Sequence, residues 1–508
     1  MTAPIVSVIT PVYRPVLSEL KKCLSSARHD GVEHILVIDG VDNATSEQKL
    51  QQLAKKYGAT VVVRPTNGGI SRATNDGVAA SRGEFVLFLD QDDYLEKHWF
   101  RMFEIAAETA DFVYSDAYVV SPRGRILARL LKPDWSPTRL ANNMYACHFF
   151  AVRRELFDKV GGMRPEFDGA QDHDIALRIS RETSRCVRIP HPLYNWRQSA
   201  ASTAANPDNK PWAFDAGVAA AQEHIDHLGL SAKVEPIHGS PGCYVSVFSP
   251  RVDPISVAVP TAFGLGEGNP QSFIEILLLS LREHLGSVPG DEVVVISAGE
   301  DTSGTLDRIQ QMVDFPITHI VDRSPFNFSA RCNIAIDACS NELNLLLNDD
   351  IEFTAATSLD QLVGNLKQQG VGLVGALLTY PDGSVQHAGH RYNFAPTHAY
   401  YQRPNRRAAL GELVIDREID GVTGALFLQH KSVWREVGGF NENFPLNYND
   451  VDYCLKVRAL GYRIIQVNST EAFHHESQTR ETAVSQEESE RLFARWPYSF
   501  TSDSYTRN

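Results

Sequence analysis

The chain has 508 residues, which is enough for about three domains, or two large ones. Hydrophobic residues make up 43% and charged residues 22%, as in ordinary globular proteins, which excludes collagen-like, coiled-coil and disordered chains. The net charge of −14, from 48 basic and 62 acidic residues, argues against a nucleic-acid partner, because such proteins need a basic face.

Seven cysteines are scattered along the chain without a Cys-x-x-Cys pair, so we expect reduced thiols and a cytoplasmic protein. The N-terminal residues lack the basic and apolar regions of a signal peptide. The apolar runs, such as FVLFL at 85–89, are far shorter than the roughly 18 residues of a membrane helix. The sequence therefore predicts no membrane span.

The sequence repeats five features in the same order in its two halves. They are an apolar strand that stops at a proline or just after it (5–11 and 255–261), a second apolar strand (34–39 and 293–297), a strand that runs into acidic residues (84–93 and 342–350), a Val-Gly-Gly segment (160–162 and 437–439) and an acidic helix start (169–178 and 448–456). Matching order and similar spacing indicate a duplication. We therefore predict two homologous domains.

Strands alternate with helical stretches such as 17–28 and 273–283, which favours an α/β fold with a mostly parallel sheet in each half. The predicted organisation is a first domain (1–204), a helical and linker segment (205–253), a second domain (254–480) and a polar tail (481–508). Within it we expect a helix over 213–228, short strands in 233–254, a helix over 485–496 and a loose end after residue 498.

Three aspartates, Asp90, Asp92 and Asp93, follow a predicted strand at the edge of the sheet where α/β proteins bind ligands. Clustered carboxylates repel one another and lose solvation, so we expect Mg²⁺ or Mn²⁺ that also binds a diphosphate. The alternative is a helix N-cap and a solvated turn before a helix that begins near Leu95. The acidic segment 348–350 (Asn-Asp-Asp) in the second half favours the functional interpretation.

Four more aspartates stand at the two acidic helix starts: Asp172 and Asp174, and Asp450 and Asp452. A carboxylate there could deprotonate an incoming hydroxyl beside a metal-bound donor, or stabilise the helix N-terminus through its dipole. We predict that Asp172 and Asp450 are bases and that Asp174 and Asp452 are structural.

His474 follows a predicted strand over 463–467 and could complete a metal site begun by Asp350. An isolated histidine is more often structural, but here His475 and Glu476 follow directly.

These motifs resemble those of family-2 glycosyltransferases of the GT-A fold, in particular the tandem two-domain proteins of bacterial surface-polysaccharide (O-antigen or capsule) synthesis. The resemblance covers residues 5–204 and 254–480. In the first half it rests on SVITPVY, RPTNGGISRATNDG, GEFVLFLDQDD, KPDWSP, GAQDHDIALR and PLYNWRQSAAST. In the second it rests on PFNFSARCNIA, LLLNDDIEF, YPDGSVQHAGH, DGVTGALFL, VGGFNENF, NDVDYCLKVRALGYRI and HHESQTR.

The resemblance implies two tandem Rossmann-like GT-A domains that transfer sugars with inversion. The donors would be nucleoside-diphosphate sugars, the acceptor a glycan or a lipid-linked oligosaccharide, the cofactor Mn²⁺ or Mg²⁺, and the location the inner face of the cell membrane. The implied donor-binding residues are Asp39, Asn67, Gly68, Gly69, Asn75 and Asp90, and Asn327, Asn333, Asn348 and Asp349. The implied metal ligands are Asp92, Asp350 and His474, and the implied bases are Asp172 and Asp450.

Each half departs from the family pattern. Ser297 takes the place of Asp39, so the second half lacks the nucleotide-contacting acid unless Glu300 or Asp301 replaces it. In the first half Asn195 stands where the family commonly has a histidine.

These departures leave two interpretations open: a bifunctional enzyme, or one active transferase with a degenerate domain that binds glycan as a scaffold. A nucleotidyltransferase is a weaker third interpretation, because no glycine-rich, lysine-containing phosphate loop lies near the first strand.

Overall fold

The structure is a computed structural model that describes residues 4–40, 43–198, 211–265, 271–404, 411–475 and 484–506. The chain divides into two compact units, chiefly Met1–Ile225 with Val234–Tyr244, and Asp226–Lys233 with Val245–Thr506. The domain boundaries expected at 204 and 254 stay predictions.

The first unit alternates strands and helices. Its strands are β1 Val6–Val12, β2 Val32–Asp39, β3 Thr60–Arg64, β4 Phe85–Phe88, β5 Tyr94–Leu95, β6 Phe112–Val120, β7 Ile126–Leu130, β8 Phe150–Arg153 and β9 Cys186–Arg197. Its helices are α1 Leu17–Ser26, α2 Ala44–Tyr57, α3 Ile70–Ala80, α4 Trp99–Ala107, α5 Pro137–Asn142, α6 Arg154–Lys159 and α7 Gln171–Ser180. The strands form one sheet in the order β3-β2-β1-β4-β8-β6-β9-β5, and β7 pairs with β6.

The intervening segment forms helix α8 Pro211–His227 and a pair of strands, β10 Ala232–Pro236 and β11 Tyr244–Phe248. The predicted helix and short strands of this segment are confirmed.

The second unit repeats the alternation. Its strands are β12 Ile255–Pro260, β13 Glu292–Ser297, β14 Ile317–Val321, β15 Leu343–Leu347, β16 Ile351–Phe353, β17 Val371–Thr379, β18 Val385–His387, β19 His390–Asn393, β20 Ala395–His398, β21 Arg417–Glu418, β22 Leu426–His430 and β23 Arg463–His474. Its helices are α9 Phe273–Leu281, α10 Thr305–Gln310, α11 Phe328–Ala338, α12 Leu359–Leu366, α13 Lys431–Val437, α14 Asn449–Ala459 and α15 Gln486–Arg495.

The main sheet of the second unit has the order β14-β13-β12-β15-β22-β17-β23-β16, which matches the first sheet strand for strand. The central strands of both sheets, β1 and β12, pair in parallel with both neighbours, whereas β8 and β22 run antiparallel to theirs. The expected fold class, two α/β units with mostly parallel sheets, is confirmed.

The central strands are mostly apolar because helices cover both faces of the sheet. In β12, Val257 packs with Leu277 of α9 on one face, and Ala258 packs with Ala335 of α11 on the other. Such a strand has no polar face, which is why these strands read as continuous hydrophobic runs.

Three local expectations are corrected. The acidic segment after β4 leads first into β5, and α4 begins only at Trp99. Strand β23 continues beyond residue 467 to His474, which is its last residue. The described part of the C-terminal end is not loose, because Asp503 and Thr506 are buried and Asp503 pairs with Arg391 at 3.0 Å. The helix expected over 485–496 is confirmed as α15.

All seven cysteines are free thiols, as predicted. Among the described residues, every helix is too short or too polar to cross a bilayer.

Helix α3 lies against the sheet at Gly77. A Cβ atom at this position would lie 2.6 Å from Cγ2 of Ile9 and 2.8 Å from Cγ2 of Val37, well inside van der Waals contact. Ile9 and Val37 are both β-branched, and both are buried in strands of the sheet, so they have little freedom to move aside. Glycine at 77 therefore sets how closely α3, with the loop at its N-terminus, approaches the strand ends.

We expect Gly77→Val to lower the free energy of unfolding of the first unit by about 2 kcal/mol through overpacking. The melting temperature should fall by about 4–8 °C in a thermal melt of the full chain. Ala79→Val is the matched control, since residue 79 is exposed on the same helix and loses only about 0.5 kcal/mol of helix propensity. Equal melting of the two variants would contradict the close packing at Gly77.

Candidate active sites at the strand ends

Asp39 lies at the carboxyl end of β2 and holds the loop that contains Gly68 and Gly69. Its carboxylate accepts hydrogen bonds from the backbone amides of Gly68 (2.9 Å) and Gly69 (3.0 Å) and from Nε of Arg64 (2.8 Å). Gly40, at φ +79°, permits this approach, since a Cβ there would lie 2.6 Å from the backbone nitrogen of Asn67. Asp39, Asn67, Gly68 and Gly69 thus lie together, and their donor-binding role stays a prediction.

The second unit lacks this arrangement. Asp39 pairs with Arg64 across β2 and β3, and the residues in the same places of the second sheet are Ser297 and Val321. Ser297 instead contacts His319, with 2.7 Å between Oγ and Nε2. The two acids that could replace Asp39 have other partners. Glu300 pairs with an exposed arginine, and Asp301 caps the turn before α10.

The acidic segment of the first unit clusters where β4 ends. Asp93 is buried and accepts a hydrogen bond from the backbone nitrogen of Arg197 at 2.7 Å. Burial, together with the charges of Asp90 and Asp92, raises the pKa of Asp93 well above its usual value. The guanidinium of Arg197 contacts the backbone oxygen of Asp92 (2.7 Å) and lies 3.6 Å from the carboxylate of Glu19.

The sheet registers show which residues correspond in the two units. Ile351, directly after the second acidic segment, lies opposite His474. The same place in the first unit is taken by Asp93, which by continuation of the β5–β9 register lies opposite Trp196. Trp196, and not Asn195 as expected from the sequence, therefore takes the place of His474.

Asp172 is the second residue of α7. It forms a hydrogen bond with the thiol of Cys147 and accepts one from Nε2 of Gln171 at 3.2 Å. Burial raises the pKa of Asp172 to about 6, and the bond to the thiol opposes the rise. The charge of Asp90 also acts on Cys147, so the predicted base and the acidic segment lie near one thiol.

A cavity of about 400 Å³ in the second unit gathers five of the predicted residues. They are Asn348, Asp349, Asp350, Asp450 and His474. The other two predicted residues of this unit, Asn327 and Asn333, are not among the described lining residues.

Within this cavity each carboxylate has a different partner. Nε2 of His474 lies 3.1 Å from Oδ1 of Asp350, whereas Asp349 accepts a hydrogen bond from the hydroxyl of Thr261 at 2.6 Å. Burial raises the pKa of Asp349 to about 6. Asp450 accepts hydrogen bonds from the backbone nitrogens of Gly424 (3.0 Å) and Val451 (2.8 Å), which fix the orientation of its carboxylate.

Three predicted donor-binding asparagines are bonded to backbone. Both ends of the Asn75 amide bond the backbone of Met163, and both ends of the Asn333 amide bond the backbone of Phe440. Asn327 caps α11 through the backbone nitrogen of Ala330. Any effect of these three on a donor would pass through the turns that they hold.

Asp174 and Asp452 form buried ion pairs, in agreement with the structural role expected for them. Asp174 pairs with Arg164 and, at 2.6 Å, with Arg178. Asp452 is fully buried and bonds Nε of Arg495 (2.7 Å) and the indole of Trp496 (2.8 Å).

His387, His390 and His398 place ligand atoms within 4.8 Å of one another, which is close enough to hold a transition metal. The hydrogen bonds oppose this. Nε2 of His387 accepts from the backbone nitrogen of Thr423 at 3.1 Å, so the proton of the neutral ring is on Nδ1, which lies 3.0 Å from Nδ1 of His398. His387 has no lone pair left for a metal in this arrangement.

The sequence did not single out several residues of the sites. In the second unit they are Thr261, Arg331, His390 and His398, all of which line the cavity; in the first they include Cys147. Their signal lay in family motifs that carried no assigned role, such as QHAGH and SARCN.

Two α/β sheets with carboxylates clustered at the ends of their parallel strands define the class of GT-A transferase domains. Residues 7–161 and 256–438, more than half of the chain, match the model of Glycosyl transferase family 2. The chain belongs to this family, as the sequence motifs predicted.

Known proteins that resemble the chain include two over most of its length. It is 32% identical to the O-antigen biosynthesis protein RfbC of Myxococcus xanthus, over 94% of this chain and 38% of that protein. It is 30% identical to the uncharacterized protein y4gI of Sinorhizobium fredii, over 94% of this chain and 54% of that protein. The chain thus spans about half, or less, of the length of these relatives.

A solved structure of S. aureus TarS, residues 1–349 in complex with UDP-GlcNAc, resembles part of the chain. The sequence identity is 18% and the TM-score 0.32, over 41% of this chain and 64% of that one.

We expect Asp174→Asn to destabilise the first unit by about 3 kcal/mol, because it leaves the buried Arg178 without its partner. Asp172→Asn should not destabilise it, and should slightly stabilise it above pH 6. The raised pKa of Asp172 means that its ionised form costs stability once the pH exceeds the unfolded value. Thermal melts at pH 7.5 compare the two variants, and a larger loss for Asp172→Asn would contradict these assignments.

Proposed function

We propose that the chain is an inverting glycosyltransferase with two sites, in the domains 1–204 and 254–480. Each site would move a sugar from a nucleoside-diphosphate sugar to a hydroxyl of a glycan or a lipid-linked oligosaccharide in surface-polysaccharide synthesis. We place the reaction in the cytoplasm, at the inner face of the cell membrane. The observation that carries the proposal is the single cavity that holds Asn348, Asp349, Asp350, Asp450 and His474.

The acids and the histidine fit a divalent cation. In the second site an oxygen of Asp350, just before β16, and a nitrogen of His474, at the end of β23, lie 3.1 Å apart, as two ligands of one ion would. In the first site Asp90 and Asp92 would supply oxygen ligands, and burial together with their charges raises the pKa of the neighbouring Asp93. Bound Mn²⁺ or Mg²⁺ would stabilise the departing diphosphate.

The residues of the chain have separable tasks in this reaction. Asp450, held by two backbone amides, would accept the proton of the acceptor hydroxyl in the second site, and Asp172 would do so in the first. The hydroxyl oxygen forms the bond to the sugar carbon while the bond from that carbon to the diphosphate oxygen breaks. Buried Arg331, in the wall of the second cavity, lies 3.6 Å from Asp322 and would supply positive charge to a bound donor.

The alternative is one active transferase with a glycan-binding scaffold domain. It is favoured by the loss of both Asp39 and Arg64 at the matching positions of the second sheet, Ser297 and Val321. In that case the second unit would bind nucleotide weakly or not at all.

A donor screen decides between these proposals. UDP-, GDP- and dTDP-sugars are supplied with Mn²⁺ and a set of octyl glycosides, and nucleoside-diphosphate release is followed for Asp92→Asn and Asp350→Asn. We expect two activities, each reduced about 100-fold or more by one of the substitutions. Asp30→Asn and Asp307→Asn, at exposed positions of the two units, are matched controls.

Loss of one activity with only one of the substitutions would support the scaffold. Full activity in both variants would contradict the assigned sites.

The pKa of about 6 for Asp172 predicts the pH dependence of the first site. In Asp350→Asn protein, kcat/KM should rise about tenfold per pH unit below pH 6 and level off above it, because only the ionised carboxylate accepts a proton. Cys147→Ala should move this rise in kcat/KM to higher pH, since the hydrogen bond from the thiol lowers the pKa of Asp172. An unchanged pH profile in Cys147→Ala would contradict the contact between the thiol and Asp172.

A further inference from the structure

Hairpin β19–β20 is an addition that the second unit makes to the shared fold. Strands β17 and β18 correspond to β6 and β7, but the segment after β7 in the first unit, residues 131–149, holds α5 instead of a hairpin. His390, Pro396, Thr397 and His398 of the hairpin line the cavity that contains Asp450. The hairpin therefore forms a wall of the second site on the side of its base.

His390 lies opposite the base across a short gap. Its Nε2 is 3.8 Å from Oδ2 of Asp450, which is too far for a direct hydrogen bond. The ring is 2% exposed and stacks on Tyr392, and its Nδ1 has no hydrogen-bond partner among the described residues. Burial lowers the pKa of His390 to about 4, so the ring is neutral near pH 7 and carries one N–H.

The gap fits one hydroxyl group. An oxygen at about 2.8 Å from both atoms can donate its proton to Oδ2 of Asp450 and accept a hydrogen bond from Nε2–H of His390. The hydrogen bonds from the backbone amides of Gly424 and Val451 prevent the carboxylate of Asp450 from turning away from the gap. A ligand hydroxyl would thus complete a contact that the protein leaves open.

We propose that hairpin β19–β20 forms the acceptor side of the second site and that His390 holds the nucleophilic hydroxyl of a sugar acceptor against Asp450. This inference rests on the proposed function. In the transfer the hydroxyl proton passes to Asp450, the oxygen bonds to the donor sugar carbon, and the electrons of the broken carbon–oxygen bond leave with the diphosphate. His390 keeps its own proton throughout.

The outer part of the same wall offers further contact for a sugar. The ring of half-exposed Tyr401 lies 6.2 Å from that of His398, and its hydroxyl lies 3.2 Å from the hydroxyl of Tyr380. Aromatic faces of this kind pack against the apolar faces of sugar rings.

The test compares His390→Phe, which fills the space without a donor, with His390→Gln, which restores an N–H near the position of Nε2. Both are made in the 508-residue chain that carries Asp92→Asn, so that turnover reports the second site. The measurements are kcat and KM for the octyl glycoside and the donor on which the parent acts, and UDP affinity by calorimetry. The matched control is His430→Phe. His430 is half-buried and is the last residue of β22.

We expect His390→Phe to lower kcat/KM for the acceptor roughly 10- to 100-fold, with donor KM and UDP affinity unchanged, and His390→Gln to recover most of the loss. Acceptor kinetics like those of the parent would overturn the proposal, as would a parallel loss of UDP affinity. A parent chain that releases no nucleoside diphosphate from any donor would instead contradict the proposed function itself, and the inference with it.

Discussion

The constraint on both sites is the crowding of carboxylates at one edge of each sheet. Parallel strands end at the same edge, so acids that follow them must lie together. Burial and like charge raise the pKa of Asp93 well above normal and that of Asp349 to about 6. Each unit offsets this cost with local donors: the backbone nitrogen of Arg197 in the first, and the hydroxyl of Thr261 in the second. A divalent cation would supply the compensation that these neutral donors cannot.

The shared topology places an aspartate at the same helix start in both units, but the surroundings differ. Asp172 bonds a thiol and an amide side chain, and its pKa rises to about 6. Asp450 bonds two backbone amides and faces His390. Duplication thus preserved the position of the acid, while the segment before β8 and β22 determines what it contacts. Such divergence is expected when two sites act on different acceptors.

The strands and the acidic segments could be predicted from the sequence because their signals are local: apolar runs that end at proline or aspartate. The contacts of His390 could not, since hairpin β19–β20 is largely polar and its partner Asp450 is distant in the chain. The place of Trp196 required the register of β5 with β9, which a one-residue slip would change. The burial of Asp503 and Thr506 was missed because a polar terminal segment reads as solvated, and here ion pairs and backbone hydrogen bonds satisfy its polar groups.

The polar atoms left open in the second cavity favour a ligand-binding role for that unit over a purely structural one. Oδ1 of Asn348 and Nδ1 of both His390 and His474 are buried without a hydrogen-bond partner among the described residues, and all three residues line the cavity. Each such atom costs about 1–3 kcal/mol unless a partner arrives. A unit with a purely structural role would gain stability from apolar replacements at these positions. A site that binds a polar ligand recovers this cost wherever the ligand supplies a partner for one of these atoms.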